Sequence, residues 1–384
     1  MTTCRVCGET IATPAYETPA PALTSIMTLL DMPTRVYICE SCGHAQGDDI
    51  PDIKSFYDTG YRISLANDDH DQIFAVKPDG TIIYRTDHQT HIALGLLDMP
   101  QGATVIDYGA AKADTLRKMH AARPDILPHV FDVSSDYSAA WQGWVPEGAQ
   151  ATYSVPRAWK NRFDVATSHF VIEHVADPVG LIRDIGAVLR PGGTLLLSLP
   201  NVAANPGDMT VADHLSHFSE ASLRHALAAG GFLATAIDST SFPGAFFAVA
   251  TKCEGDVEAA QDPALIRAAV ERGREICTFW EKSVANLDRQ AERFRGRKAA
   301  IYGAGFYGSW IFSRIGNEVD LTTFLDRNPH LQGNTHFGAP VVTPEEISQE
   351  IEALFVGLNP LKARDAISVQ PWLHRPGLQH IWLD

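Results

Sequence analysis

Over most of this chain, short apolar runs alternate with segments whose apolar positions recur every three or four residues. The first rhythm is that of buried strands and the second that of amphipathic helices, so a parallel sheet flanked by helices is expected. Residues 103–107, 129–132, 163–168 and 194–199 read as strands. A helix is expected from about Asp114, and another after Ser168 that carries His174. Pro191-Gly192-Gly193 reads as a turn into the strand 194–199. A last helix and strand are expected between about Ser219 and Ala250. Upstream, 73–76 and 81–84 flank Lys77-Pro78-Asp79-Gly80, whose Asp-Gly step signals a hairpin, and a helix follows over about 87–97. Asp262 and Pro263 form an N-cap and first-turn pair. Beyond them Ile266, Ala269, Val270, Ile276, Trp280, Val284, Leu287 and Phe294 fall on one face of a long helix, which reads as a bridge to a C-terminal unit. That unit opens with a second strand–turn–helix at 299–308.

The length of 384 residues exceeds one ordinary core and suggests two or three domains. We read them as 1–65, 66–255 and 256–384. The net charge of −15 repels phosphate backbones, which argues against a nucleic-acid partner but not against one phosphorylated ligand in a local basic pocket. No apolar stretch approaches the ~18–20 residues of a membrane span, and Met1-Thr2-Thr3-Cys4-Arg5-Val6-Cys7 lacks the apolar run of a signal peptide. A cytoplasmic monomer or homodimer without a membrane partner is the expectation.

Four of the six cysteines form two pairs, Cys4-x-x-Cys7 and Cys39-x-x-Cys42, each followed by glycine. A CxxC turn brings two thiolates to one side of a tight loop, and two such turns supply the four sulfurs of tetrahedral zinc. All four positions are then filled, so the zinc is expected to be structural. Cys253 and Cys277 are expected to be buried thiols. The first ~60 residues, irregular and rich in Thr, Pro and Ala, are expected to be held by metal rather than by a large core.

In an open parallel sheet, ligands bind at the carboxyl ends of strands. Asp107-Tyr108-Gly109-Ala110-Ala111-Lys112-Ala113 lies at such an end, and Asp132 closes the next strand, where a carboxylate accepts from ribose hydroxyls. The loop lacks the GxGxxG that cradles a pyrophosphate. It is followed by Phe163-Asp164-Val165, Glu173-His174-Val175, Asp177-Pro178 and Leu189-Arg190-Pro191-Gly192-Gly193. As a set over roughly residues 100–250, these resemble the class I methyltransferases, whose DxGxGxG loop appears here with alanine at its second and third glycine positions. That resemblance implies a Rossmann-like core and S-adenosylmethionine. The expected cofactor residues are Asp107, Gly109, Ala111, Asp132, Ser168 and His169.

Past the strand end at Pro200-Asn201, the segment Val211-Ala212-Asp213-His214-Leu215-Ser216-His217-Phe218-Ser219 is expected to hang over the sheet's carboxyl edge. Here the chain resembles a narrower family, the zinc-containing C-methyltransferases of nucleotide-linked 4-keto-deoxysugars of the tetronitrose-biosynthesis type. Their order of four-Cys domain, methyltransferase core and C-terminal Rossmann-like domain covers nearly the whole chain. Their loop reads approximately Tyr-x-Glu-His-x-x-Tyr-Phe-Ser; this chain keeps His214 and Phe218-Ser219, but has Val211, Asp213 and His217 at the tyrosine, glutamate and second tyrosine positions. The resemblance implies a sugar-nucleotide substrate and His214 as the base that makes an enolate. Chemically, a histidine of near-neutral pKa suits removal of a proton next to a ketone. His174 is the candidate for contact with the enolate oxygen or a sugar hydroxyl, and Asp213 for orienting His214 or binding a hydroxyl. The same three residues Asp213, His214 and His217 are alternatively metal ligands. Tyr57 and Tyr61 stand where the family places active-site tyrosines, but their spacing differs from the family's, and core packing is the alternative. The loss of the front tyrosine, Val211 here, leaves another keto-sugar, another position, or O- or N-methylation of a related sugar as alternatives, and the two alanines of the cofactor loop leave an inactive nucleotide-sugar binding protein.

Gly303-Ala304-Gly305-Phe306-Tyr307-Gly308 is a true GxGxxG, with Asp326 ending the next strand. Taken alone it predicts dinucleotide binding; the resemblance implies a domain that supports the sugar nucleotide instead.

Overall fold

The structure, a computed structural model, describes residues 1–51, 71–77, 79–255, 257–258 and 262–383. Tyr57 and Tyr61 lie outside the described residues. The N-terminal module is built on three short antiparallel strands, β1 (Tyr16–Thr18), β2 (Thr34–Ile38) and β3 (Ala45–Gly47). Its two CxxC turns are near copies: Gly8 N donates to Cys4 O at 3.0 Å, and Gly43 N to Cys39 O at 2.9 Å. Cys4 Sγ lies 3.6 Å from Cys42 Sγ and Cys7 Sγ lies 3.5 Å from Cys39 Sγ, with all four sulfurs within 4.8 Å of one another. Zinc–sulfur bonds of ~2.3 Å in a tetrahedron put sulfurs ~3.8 Å apart, so the four thiols fit one zinc with no position left for water.

The hairpin signalled by Asp79-Gly80 pairs β4 (Ile73–Val76) with β5 (Ile82–Tyr84). Helix α1 (Arg85–Leu96) starts earlier than its apolar pattern suggests, because Asp87 Oδ2 accepts from Tyr84 N at 3.0 Å and pulls the first turn forward.

The central sheet comprises β6 (Thr104–Tyr108), β7 (Leu127–Asp132), β8 (Gln150–Thr152), β9 (Phe163–His169) and β10 (Leu189–Pro200), then β12 (Phe232–Asp238) and β13 (Ala245–Lys252). Between the last two groups, β11 (Ser216–His217) leaves this sheet altogether. The order is β8-β7-β6-β9-β10-β13-β12, with β6 to β10 parallel and β13 antiparallel to both neighbours. Helices α2 (Asp114–Ala122), α3 (Pro178–Val188) and α4 (Glu220–Ala229) flank it. The strand order reverses between β6 and β9, which places the ligand crevice at their carboxyl ends. Three expectations change. Pro191-Gly192-Gly193 lies within the continuous β10, and two strands rather than one follow α4. His174 sits on a single 3-10 turn, Ile172–His174, and not on a helix, because α3 starts only where Asp177 caps Gly180 N ahead of Pro178.

Helix α5 (Pro263–Arg293) spans 31 residues and buries Val270, Ile276, Trp280 and Leu287 as its pattern predicts, together with Cys277; Cys253, expected to be buried, is half-exposed. The C-terminal unit holds β14 (Lys298–Tyr302), α6 (Phe306–Ile315), β15 (Asp320–Leu325), β16 (Thr335–His336), β17 (Ala339–Val342), β18 (Ala353–Val356) and β19 (Gln379–Trp382). Its order is β16-β17-β15-β14-β18-β19, parallel except for the β16–β17 pair. Among the described residues no helix is long and apolar enough to cross a membrane.

The strand β11 carries the fold's main consequence for function. It joins the N-terminal sheet, Ser216 opposite Gln46 and His217 opposite Ala45. Arg5 Nη1 donates to both Gly47 O and Leu215 O at 2.9 Å, and Ser219 Oγ donates to Gly43 O at 3.0 Å. The CxxC turns and the strands beside them therefore brace the segment that carries His214. About one zinc per chain should co-purify. Cys39→Ser should lower unfolding stability by on the order of 3 kcal/mol in denaturant titration. Freshly purified wild type without zinc would contradict the metal assignment.

Candidate active site

At the end of β6, the Asp107 carboxyl is buried and accepts from Thr167 Oγ1 at 2.9 Å; burial pushes its pKa up to about 7. Gly109 has φ +78°, and a Cβ there would lie 2.6 Å from Val171 Cγ2, so only glycine fits. Ala111 and Ala113, at the positions where the loop pattern has glycine, keep the left-handed backbone at φ +45° and +56°. The loop thus retains its glycine-type path at a cost of ~1–2 kcal/mol per residue. Ala111 N donates to Asp132 Oδ2 at 2.8 Å and Ser134 N to Asp132 Oδ1 at 3.0 Å, while burial raises the Asp132 pKa. Each Asp132 oxygen still has a lone pair for a ligand hydroxyl. At the end of β9, His169 Nδ1 bonds Ser198 Oγ at 2.7 Å, and burial lowers the ring's pKa to about 4. Ser168 Oγ and His169 Nε2 are buried with no partner. Buried orphan polar atoms beside the backbone turn at Gly109 fit a polar ligand such as S-adenosylmethionine.

Beyond this crevice, Asp208 sits on the 3-10 turn Pro206–Thr210, with only 4% of the residue exposed. His214 Nδ1 donates to Asp208 Oδ1 at 2.6 Å and His217 Nδ1 to Asp208 Oδ2 at 3.2 Å. The paired histidines hold the Asp208 carboxyl well below the usual carboxylate range against the opposing effect of burial. For His214, burial opposes the charged form, but the Asp208 carboxylate outweighs it, with help from Glu173 and Asp213, and the pKa rises to about 9. The His174 and His214 rings meet edge-on at 4.7 Å between centroids. His174 Nδ1 donates to the Asp213 carbonyl at 2.9 Å, and burial with the nearby His214 charge lowers its pKa to about 4. Glu173, 1% exposed, has Oε2 without a partner, and burial raises its pKa to about 7. Donor atoms of Glu173, His174 and His214 lie within 4.8 Å of one another.

These contacts correct two expectations. Asp213 does not orient His214: its carboxylate accepts from Ser25 N and Ser25 Oγ, each at 2.6 Å, and it is fully buried, so no hydroxyl of a ligand reaches it. Adjacent residues in this turn face different neighbours, and the carboxylate that His214 meets is Asp208. His174 Nδ1 is committed to the Asp213 carbonyl, and its ring stands edge-on to His214. Asp208 and Glu173 were not singled out from sequence. Glu173 had a signal, its place beside His174; Asp208 had none, since only the 3-10 turn folds it back onto His214.

A cavity of about 230 Å³ lies between α5, the N-terminal four-cysteine module and the segment that follows β10, lined in part by Gly43, Asn201, Met209, His217 and Arg272. His217 lines it but neither His174 nor His214 does, so it is a space beside the Asp208–His214 pair. In the C-terminal unit Asp326 Oδ2 accepts from Ala304 N at 2.8 Å, and Gly308 packs backbone to backbone against Gly357.

Residues 75–236 match the methyltransferase domain family. Ubiquinone biosynthesis O-methyltransferase of Xanthomonas campestris pv. campestris is 30% identical over 105 residues, which is 26% of this chain and 44% of that protein. The chain thus spans less than half the length of the curated relatives it matches. Two solved structures are similar at low identity. The S-adenosylmethionine dependent methyltransferase from Mesorhizobium loti is 15% identical, with 43% of this chain and 98% of that one covered and a TM-score of 0.35. The CurJ carbon methyltransferase is 14% identical, with 42% and 51% covered and a TM-score of 0.34. With the strand order and the Gly109 loop described above, the family match establishes a methyltransferase domain of class I α/β fold within this chain.

Proposed function

We propose that the chain is an S-adenosylmethionine-dependent methyltransferase that methylates the carbon next to a ketone in a nucleotide-linked deoxysugar. The observation that carries the reading is the buried Asp208–His214 pair beyond the cofactor crevice. The sugar-nucleotide part rests on the resemblance of module order and of the segment 213–219.

When bound, S-adenosylmethionine supplies an electrophilic methyl whose bond to sulfur breaks with the electron pair left on sulfur. Asp132 accepts from the ribose hydroxyls. Gly109 lets the backbone approach the amino-acid part closely. His214, with Nδ1 committed to Asp208, takes the α-proton through Nε2, and the C–H electron pair passes into the carbonyl as an enolate. The enolate carbon then forms the new bond to the methyl group, and the proton remains on His214 until solvent removes it. His174 accepts from a sugar hydroxyl and so turns the ring of the substrate toward His214. A base of raised pKa is a stronger proton acceptor but is mostly protonated at neutral pH; about 1% is neutral two units below its pKa.

Calorimetry of S-adenosylmethionine binding should show Asp132→Ala weakening affinity by about 1–3 kcal/mol. Unchanged affinity would place the cofactor elsewhere.

His214→Asn keeps the size and a polar contact but is no base. Exchange of the α-proton of a keto-sugar nucleotide with deuterated water should fall by roughly 10²–10⁴-fold. In wild type the exchange rate should climb about tenfold per pH unit from neutrality and level off near pH 9, since the neutral ring is the active form and its pKa is raised. The groups that set that midpoint are Asp208, Glu173, Asp213 and His174. Methyl transfer with no exchange in wild type would instead favour O- or N-methylation, the chemistry named for the Xanthomonas relatives being O-methylation.

A further inference from the structure

The C-terminal unit reaches the 204–207 backbone, next to Asp208, through the side chains of Tyr307 and Asn359. Tyr307, which precedes the last glycine of the GxGxxG, turns away from its own loop. Its hydroxyl accepts from Gly207 N at 2.7 Å and donates to Asn205 Oδ1 at 2.7 Å. A Cβ on Gly207 would lie 2.7 Å from Tyr307 Cζ, so ring and backbone are in direct contact and no larger residue fits. Trp280 of α5, stacked on the Tyr307 ring at 17° and 6.1 Å, donates from Nε1 to Pro206 O at 2.9 Å. Asn359 Nδ2 donates to Ala204 O at 3.1 Å. The backbone of 204–207 is therefore held from the C-terminal side, and the next residue is Asp208.

We propose that Tyr307 is a positioning residue for the reacting histidines: its hydroxyl fixes the 205–208 turn, so that the C-terminal unit sets the geometry of Asp208 against His214. The catalytic consequence rests on the reading of His214 as base; the consequence for the protonation of His214 rests on the 2.6 Å bond to Asp208 and the burial of both groups. Removing the hydroxyl leaves Gly207 N–H buried without its acceptor, and the turn relaxes to recover a partner. A longer Asp208–His214 separation weakens their attraction and lets burial pull the imidazole back toward its neutral form. The charged and titratable groups facing His214 are Asp208, Glu173, Asp213 and His174. Among these Asp208 alone lies on the turn that Tyr307 holds; Asp213 is tied to Ser25. This assigns the second glycine motif a mechanical use that requires no dinucleotide.

The test is an NMR titration of histidine ring nitrogens in the full, zinc-loaded chain, with the His214 signal identified by its loss in His214→Asn. Tyr307→Phe keeps the ring and its stacking on Trp280. The His214 midpoint should fall by about one pH unit. Asn205→Ala, which removes the acceptor of the Tyr307 hydroxyl, should shift it the same way. Ser309→Ala on the same helix, whose hydroxyl bonds His336 Nε2 and Gly305 O, should leave it in place. Binding of S-adenosylmethionine should stay within about twofold for Tyr307→Phe, because the Gly109 crevice is not touched. An unmoved midpoint in folded Tyr307→Phe and Asn205→Ala would overturn the proposal, as would an equal shift in Ser309→Ala. The titration needs no substrate, so its failure and that of the sugar reading are separate results.

Discussion

An ionised carboxylate taken out of water costs several kcal/mol unless its oxygens are met by positive or polar partners. In this protein that constraint is concentrated at Asp208, whose two oxygens are met by His214 and His217. The same pairing that keeps Asp208 ionised makes His214 a more basic imidazole, with its tautomer set by the bond at Nδ1. Both histidines must be delivered to the carboxylate within hydrogen-bond reach, and the surrounding architecture is arranged around that requirement.

Delivery comes from three directions. The N-terminal four-cysteine module holds residues 215–219 as an added strand and through Arg5 and Gly43. A second arm of that module pairs Leu23 with Val211, takes the Ala212 N–H on Leu23 O and ties down Asp213 with Ser25. Helix α5 and the C-terminal unit hold 204–207 through Trp280, Asn359 and Tyr307. The central sheet contributes the cofactor crevice and His174. The units are thus interlocked at one segment, which accounts for a four-cysteine cluster standing next to the Asp208–His214 pair.

Much of this was legible in the residues. The CxxC pairs lead to the four-sulfur cluster, because thiolates at that spacing have few other uses. The strands ending at Asp107 and Asp132 and the face of α5 follow from periodicity. Strand β8, Gln150-Ala151-Thr152, escaped notice because it is short and half polar. The partnership of Asp208 and His214 was not readable: Pro206-Gly207-Asp208 looks like loop, and proximity along the chain favoured Asp213. Ser25, which claims Asp213, lies 188 residues away. Tyr307 was hidden inside a motif whose ordinary reading is a phosphate cradle, and only tertiary packing shows its hydroxyl aimed at another unit. Local pattern reports elements well and says little about which distant groups satisfy a buried charge.

The central claim is that the Asp208–His214 pair serves methyl transfer to carbon. The most direct measurement supplies S-adenosylmethionine carrying a ¹³C methyl group and a nucleotide-linked 4-keto-6-deoxyhexose, and reads the product by carbon NMR. The account predicts a methyl signal bonded to the sugar carbon beside the ketone. A methyl signal on oxygen or nitrogen, or no transfer from cofactor that calorimetry shows to be bound, would contradict it.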